Sequence, residues 1–174
     1  MQYLRDDAII VLLFGLLAST WFGWAHEGPP RSWRLPLTLA AVTSIVIGAV
    51  GGYLTWRHWG GGSALSEPGA MRSYGITVGV EFALAGIGAA VLGVRKRQDL
   101  IAPWICLVVG VHFAPLAPIL KNPMLYVLAA VVTAVALAAV PLARRRDLPP
   151  SAITGLGTGS ALLLFAIVSL VSLL

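Results

Sequence analysis

Hydrophobic residues occur along this chain in six blocks of about twenty, each bounded by charged residues or by clusters of proline and glycine. About twenty apolar residues in a helix cross a hydrocarbon core of roughly 30 Å. Strands of a membrane barrel would be shorter and would alternate apolar with polar residues, unlike these blocks. The pattern therefore predicts an all-α polytopic bundle. It is one integral membrane domain over residues 1–174, with spans at about 8–25, 36–56, 71–94, 100–120, 124–143 and 151–174.

Composition agrees with this architecture, because 58% of the residues are hydrophobic and only 11% are charged. A soluble domain carries about 25% charged residues. The net charge of +5 comes from short basic clusters at span ends rather than from a solvated face, so we expect no nucleic-acid binding. The single cysteine, Cys106, cannot form an intrachain disulfide and lies in an apolar block, where it is expected to behave as a small hydrophobe.

The basic residues also predict an orientation. Loops one, three and five hold eight lysines and arginines, whereas the opposite side holds four. By the positive-inside rule both termini lie outside and the three basic loops lie in the cytoplasm. All six tryptophans fall near predicted span ends, where an aromatic belt would meet the membrane surface. The first span lacks a basic leader and a small-residue cleavage site, so we expect it to be retained.

Two ionisable side chains, Glu81 and His112, fall deep inside predicted spans. Glu81 precedes Val94 by 13 residues and His112 follows Leu100 by 12, so both lie roughly 18–20 Å from the loop that joins spans three and four. The two side chains are therefore level, and neighbouring antiparallel helices can bring them into contact. An ionised carboxylate at this depth is costly unless it is paired or protonated.

Other residues of the same two spans extend this candidate site. Tyr74, Thr77 and Glu81 lie at spacings of three and four, which places them on one helix face as a polar stripe. Pro115 and Pro118 follow His112 and remove two backbone donors, so we expect a kink in span four. Non-helical backbone at this depth requires partners from protein or water.

Small residues indicate close helix packing elsewhere. Gly48 and Gly52 have the GxxxG spacing, and packing within the monomer is favoured over a dimer interface. The glycines at 155, 157 and 159 follow no strand, so they indicate packing rather than a phosphate loop. Residues 60–70 are expected to form a flexible loop. The sequence offers no convergent metal-ligand set and no activated nucleophile, and we predict no metal, no cofactor and no enzymatic activity.

The segment EFALAGIGAAVLG, followed by LIAPWICLVVGVHFAPLAPILKNPMLY, contains the pattern APW…GxHFxPLA. In this pattern the chain resembles a group of small bacterial multi-pass membrane proteins that carry no assigned activity. The resemblance covers about a third of the chain. It implies a bacterial inner-membrane protein and brings no substrate or cofactor.

Two functions remain open at this point. The first is a channel or transporter for a proton or a small solute, with Glu81 and His112 as its site and Tyr74 and Thr77 along its access. The second is a non-transporting structural or assembly subunit of a membrane complex, in which the buried pair fixes helix packing. The lipid bilayer is the expected surrounding, and a second copy or a membrane complex is a possible partner.

Overall fold

Six long α-helices make up the fold in a computed structural model of the chain, which describes residues 3–173. Two single-turn 3₁₀ helices, Ala64–Ser66 and Gln98–Leu100, precede the third and fourth of them. All six are long and apolar enough to cross a membrane, so the protein is an integral, multi-pass membrane protein. The helices are α1 (Leu4–Ala25), α2 (Arg31–Arg57), α3 (Ala70–Val94), α4 (Ile101–Ile119), α5 (Met124–Arg146) and α6 (Pro150–Ser172).

The helices match the predicted spans in number and order but extend beyond several of them. α1 begins at Leu4 rather than near residue 8, and α2 begins at Arg31 rather than near residue 36. The apolar pattern marks only the part of a helix that lies in hydrocarbon, whereas backbone hydrogen bonds continue into the polar interface. Pro36 lies in the second turn of α2 without interrupting it. Leu174, which the sixth predicted span includes, lies outside the described residues.

Three helices end in the same way without a glycine. Lys96, Lys121 and Asp147 have φ values of 55°, 52° and 52°, and each lies just after a helix. The next residue then donates its N–H five residues back, as Arg97 does to the Leu92 carbonyl at 2.8 Å. This left-handed turn satisfies carbonyls that the helix end would leave unpaired. It makes the loops after α3, α4 and α5 short and sharply reversed.

Close backbone approach between α1 and α2 depends on small residues. A Cβ placed on Gly15 would lie 2.5 Å from the Gly48 backbone nitrogen, and one on Gly51 would lie 2.3 Å from the Leu12 nitrogen. A Cβ on Gly52 would meet only the Leu12 side chain, at 3.5 Å. Gly48 therefore packs against α1 within the monomer, as predicted. The other close approach of α2 to α1 is at Gly51 and not at the Gly52 of the GxxxG pattern.

α1 also packs against α6, again through a glycine. A Cβ on Gly155 would lie 2.4 Å from the Trp21 carbonyl oxygen, so the backbones nearly touch there. Trp21 is buried at 6% exposure and stacks edge-on against Trp24, so it is a core residue and not part of a lipid-facing aromatic belt. Trp56 and Trp59, by contrast, are exposed near the α2 end, where a belt would lie.

α3 stands at the outside of the bundle. Its packing is mainly against α4, with further contacts to the two 3₁₀ helices, and none of its residues is buried. Trp104 of α4 lies against Gly88 and donates a hydrogen bond from Nε1 to the Leu84 carbonyl at 3.0 Å. The attachment of α3 therefore depends on a few side chains, which makes the polar contacts between α3 and α4 important for its position.

Candidate functional site

Glu81 on α3 and His112 on α4 meet where these two helices pack together. His112 Nε2 lies 3.4 Å from Glu81 Oε2, within ion-pair distance. The two side chains retain 13% (His112) and 15% (Glu81) of their exposure, so the pair is mostly enclosed and still reachable. The contact that the two sequence positions allowed is thus present.

The pair lies halfway through the bundle. Phe113, next to His112, packs edge-on against Phe14 with ring centroids 5.5 Å apart. Phe14 is near the middle of α1, which runs from Leu4 to Ala25. Glu81 and His112 therefore lie near the middle of helices long enough to span a membrane, the depth at which an unpaired charge would cost most.

A hydrogen bond on the other side of the His112 imidazole determines which ring nitrogen carries a proton. His112 Nδ1 lies 3.3 Å from the Val109 carbonyl oxygen, which can only accept a hydrogen bond. The proton of this bond therefore belongs to Nδ1. The approach of Nε2 to Oε2 is then attractive only if one of these two atoms also carries a proton, which gives either an ion pair or a neutral pair.

The pair forms part of the wall of a long groove between α1 and α3, with α4 as its floor. The groove has a volume of about 410 Å³. Its α1 wall extends from Asp6 to Trp24, a stretch of 19 residues that rises about 27 Å along the helix. This length is close to the thickness of a hydrocarbon core, roughly 30 Å. The groove therefore follows the bundle across most of the membrane, with Glu81 and His112 near its middle.

Tyr74 lines the same groove, and Thr77 does not. The α3 wall is formed by Tyr74, Val78, Glu81, Phe82 and Ala85. Thr77 is half-buried beside this face. The polar stripe expected along α3 is therefore interrupted by Val78, and Tyr74 lies two turns from Glu81.

The two prolines lie within a helix that continues past them. α4 includes both Pro115 and Pro118 and ends one residue after the second, at Ile119. Both prolines are exposed on the outer surface of α4. The kink at these positions stays a prediction, whereas the left-handed Lys121 accounts for where the helix ends.

A buried carboxylate that the sequence did not single out closes one end of the groove. Asp6 is 8% exposed and accepts hydrogen bonds from Ser63 Oγ at 3.1 Å and from the Ala64 N–H at 2.7 Å. These bonds fasten the loop between α2 and α3 to the start of α1. The loop, expected to be flexible, is therefore docked from Ser63 to Ser66. The partners are 57 and 58 residues apart in sequence, so no local pattern could have indicated them.

A second polar contact fastens the same loop to the end of α4. Lys121 Nζ donates to Glu67 Oε1, and the Tyr3 hydroxyl donates to the same oxygen at 3.3 Å. The bond from Lys121 lowers the pKa of the Glu67 carboxyl, and the bond to Glu67 raises the pKa of Lys121. Both groups are exposed, so their contact holds the loop only weakly.

A second, more polar cavity of about 310 Å³ adjoins this end of the bundle. Its lining includes Asp6, Asp7, Lys121 and Ser172. Asp6 and Leu120 line both this cavity and the groove. Because Tyr3 and Ser172 line it together, the two ends of the described chain lie on the same side of the bundle.

Comparison with known proteins gives no match: no protein-family model, curated protein or solved structure is significantly similar to this chain.

Proposed function

We propose that this protein is a small transporter or channel whose solute movement is linked to a proton held between Glu81 and His112. The observation that carries the proposal is the position of the pair: both side chains meet near the middle of the bundle on the wall of a groove about 410 Å³ in volume. Ionisable residues inside a membrane are costly, and they commonly mark ion or substrate pathways.

The groove supports access to this site from the end that carries the termini. The polar cavity there shares Asp6 and Leu120 with the groove, so a hydrated surface adjoins the apolar passage. The docked loop from Ser63 to Ser66 lies over the same end and is held by Asp6. Solute entry would therefore involve this end first, and a proton would reach the pair along the groove.

The resemblance to small bacterial membrane proteins adds the bacterial inner membrane as the proposed location. Under this proposal the three basic loops face the cytoplasm and both termini face outward.

An infrared pH titration of the purified, reconstituted protein tests the proton site without knowledge of the solute. The carboxyl band that disappears in Glu81→Gln is assigned to Glu81. The matched control is Glu67→Gln, which removes an exposed loop carboxyl and leaves the Glu81 band in place. A water-connected site gives a Glu81 band that changes between about pH 5 and 8, within the shifts known for buried carboxylates. A band that stays constant over this range overturns proton coupling.

A second function is favoured by the position of α3. This helix has no buried residue, and apart from two short 3₁₀ helices its packing is mainly against α4. Glu81 and His112 then act as a clamp that holds α3 in place, and the protein serves as a structural or assembly subunit of a membrane complex. Glu81→Gln would in that case lower stability or assembly and remove no pH-dependent property.

A further inference from the structure

The groove around Glu81 and His112 combines one acidic group with an aromatic wall. Phe82 follows Glu81 on α3, and Phe113 follows His112 on α4. The ring centroids of His112 and Phe113 are 4.9 Å apart. Phe14 reaches the same level from α1. Phe82 is 71% exposed, whereas Phe14 and Phe113 are 7% and 3% exposed, so Phe82 is the ring most open to a cation. Aromatic faces attract cations, and the attraction is stronger where water is excluded. The groove volume of about 410 Å³ lies in the range of sites for small organic molecules, roughly 300–1,000 Å³.

The Glu81 carboxyl has capacity for a ligand. Across residues 3–173, its one polar side-chain contact is with His112, through Oε2. A carboxylate can accept about four hydrogen bonds, so its second oxygen, Oε1, remains for a group in the groove. The 15% exposure of the Glu81 side chain gives such a group access.

The charge of the pair depends on one proton. With Nδ1 of His112 bonded to the Val109 carbonyl, one further proton between Nε2 and Oε2 makes the pair neutral overall. Loss of that proton to water leaves a net charge of −1 at mid-membrane, which is costly. A monovalent cation against Glu81 restores neutrality, so the proton and the cation are alternative occupants of one site.

The surrounding groups do not supply a competing charge at this level. Tyr74 faces the groove from α3 and Asp6 faces it from α1, but Asp6 lies at the far end and is hydrogen-bonded to the loop. The 3₁₀ helix that follows α2 brings Leu65 to the groove, α5 brings Leu125 and α6 brings Leu162. Inorganic cations such as Ca²⁺ and Mg²⁺ take six or more oxygen ligands, whereas this wall is mostly rings and aliphatic side chains, with the hydroxyls of Thr20 and Tyr74.

We propose that the groove binds one organic monocation with an aromatic or bulky apolar body, and that the cation exchanges with one proton at Glu81. The inference rests on the proposed function and adds its substrate class. When the cation binds, the proton leaves to bulk water and no covalent bond changes, so the net charge of the site is conserved. His112 keeps its proton on Nδ1, and its Nε2 no longer shares a proton with Glu81, whose charge the cation then balances.

Binding of tetraphenylphosphonium to the full chain in detergent tests this exchange, because the charge of this cation is the same at every pH. In weakly buffered solution, at a pH where the pair still holds its proton, we expect release of about one proton per cation bound. Below the pH at which the pair loses its proton, the affinity should fall about tenfold for each pH unit. Glu81→Gln should abolish both effects, and Glu67→Gln should preserve them. These wild-type measurements stand even where Glu81→Gln fails to fold.

Triphenylphosphine oxide, a neutral compound with a similar apolar body, is the matched ligand control. Binding of the neutral compound as tightly as the cation would overturn the proposal, because the groove would then select only for apolar surface, as an acyl chain does. Cation binding without proton release, or with no pH dependence, would also overturn it. If the infrared band of Glu81 titrates while the cation releases no proton, the proton site stands and only the substrate class is wrong.

Discussion

The sharpest test of the fold is a comparison of two adjacent glycines on α2. The GxxxG pattern in the sequence selects Gly52 as the tight position, whereas the structure selects Gly51. An added Cβ would lie 2.3 Å from the Leu12 nitrogen in Gly51→Ala and 3.5 Å from the Leu12 Cδ1 in Gly52→Ala. The first distance falls roughly 1 Å short of ordinary contact and involves backbone, so α1 and α2 would have to separate.

The expected difference follows from overpacking. Forcing an extra carbon into a packed interface costs about 1–3 kcal/mol, which is roughly a 5- to 150-fold change in the folding equilibrium. The gain in helix propensity from glycine to alanine applies equally to both variants, because they are neighbours in the same helix, and it cancels in the comparison. Gly51→Ala should therefore be less stable than Gly52→Ala by about 1–3 kcal/mol.

Reversible unfolding in mixed micelles of mild detergent and dodecyl sulfate, followed by far-ultraviolet circular dichroism, measures this difference. Equal stabilities, or a larger loss in Gly52→Ala, would refute the packing of α1 against α2 described here. A loss in Gly51→Ala alone would show that the close approach is centred on Gly51.

The other predictions concern the loop over the groove and the orientation of the bundle. Asp6→Ala should speed hydrogen exchange in the loop that follows α2 by about tenfold or more, because buried N–H and O–H donors lose a charged acceptor worth about 1.5–3 kcal/mol; an equal effect of Asp7→Ala would contradict this. The bond from Lys121 lowers the pKa of Glu67 below the ordinary 4.5. The contact should therefore slow hydrogen exchange in the loop above pH 4.5, and this effect should be lost as the pH falls through the lowered pKa. Glu67→Gln should remove this pH dependence, and an unchanged pH profile would argue against the contact. In a variant whose native cysteine is replaced by serine, an impermeant maleimide added to intact cells should label Gly61→Cys and spare Asp147→Cys; the reverse pattern would invert the predicted topology.

Periodicity and composition were sufficient for the architecture because the bilayer imposes a single length scale. Six apolar blocks of the right length predict six helices, and residues 3–173 form six in the same order. The level of Glu81 and His112 could also be predicted, because helix rise and loop position set the depth of any residue in a hairpin. The sequence did not show whether the α3 face that carries Glu81 and the α4 face that carries His112 were turned toward each other.

Tertiary structure decided those rotations and the long-range partners. The contact of His112 with Glu81 depends on how α3 rotates against α4, which Trp104 fixes by its bond to the Leu84 carbonyl. A one-residue rotation likewise separates Gly51 from Gly52, although both satisfy a small-residue pattern. In hydrocarbon every helix face is already apolar, so the hydrophobic pattern carries little information about which face meets which neighbour.

The groove and the hydrogen bonds of Asp6 to the loop after α2 could not be predicted from the sequence, for the same reason. The groove exists because α3 packs on α4 and stands away from α1, and Asp6 acts only because a loop 57 residues later folds back onto it. The sequence by itself determined the number of spans, their order and the depth of the polar residues, since these depend on distance along one helix. Only the packing of six helices decided which polar residues meet and where space remains between them, because those depend on rotations that a bilayer leaves free.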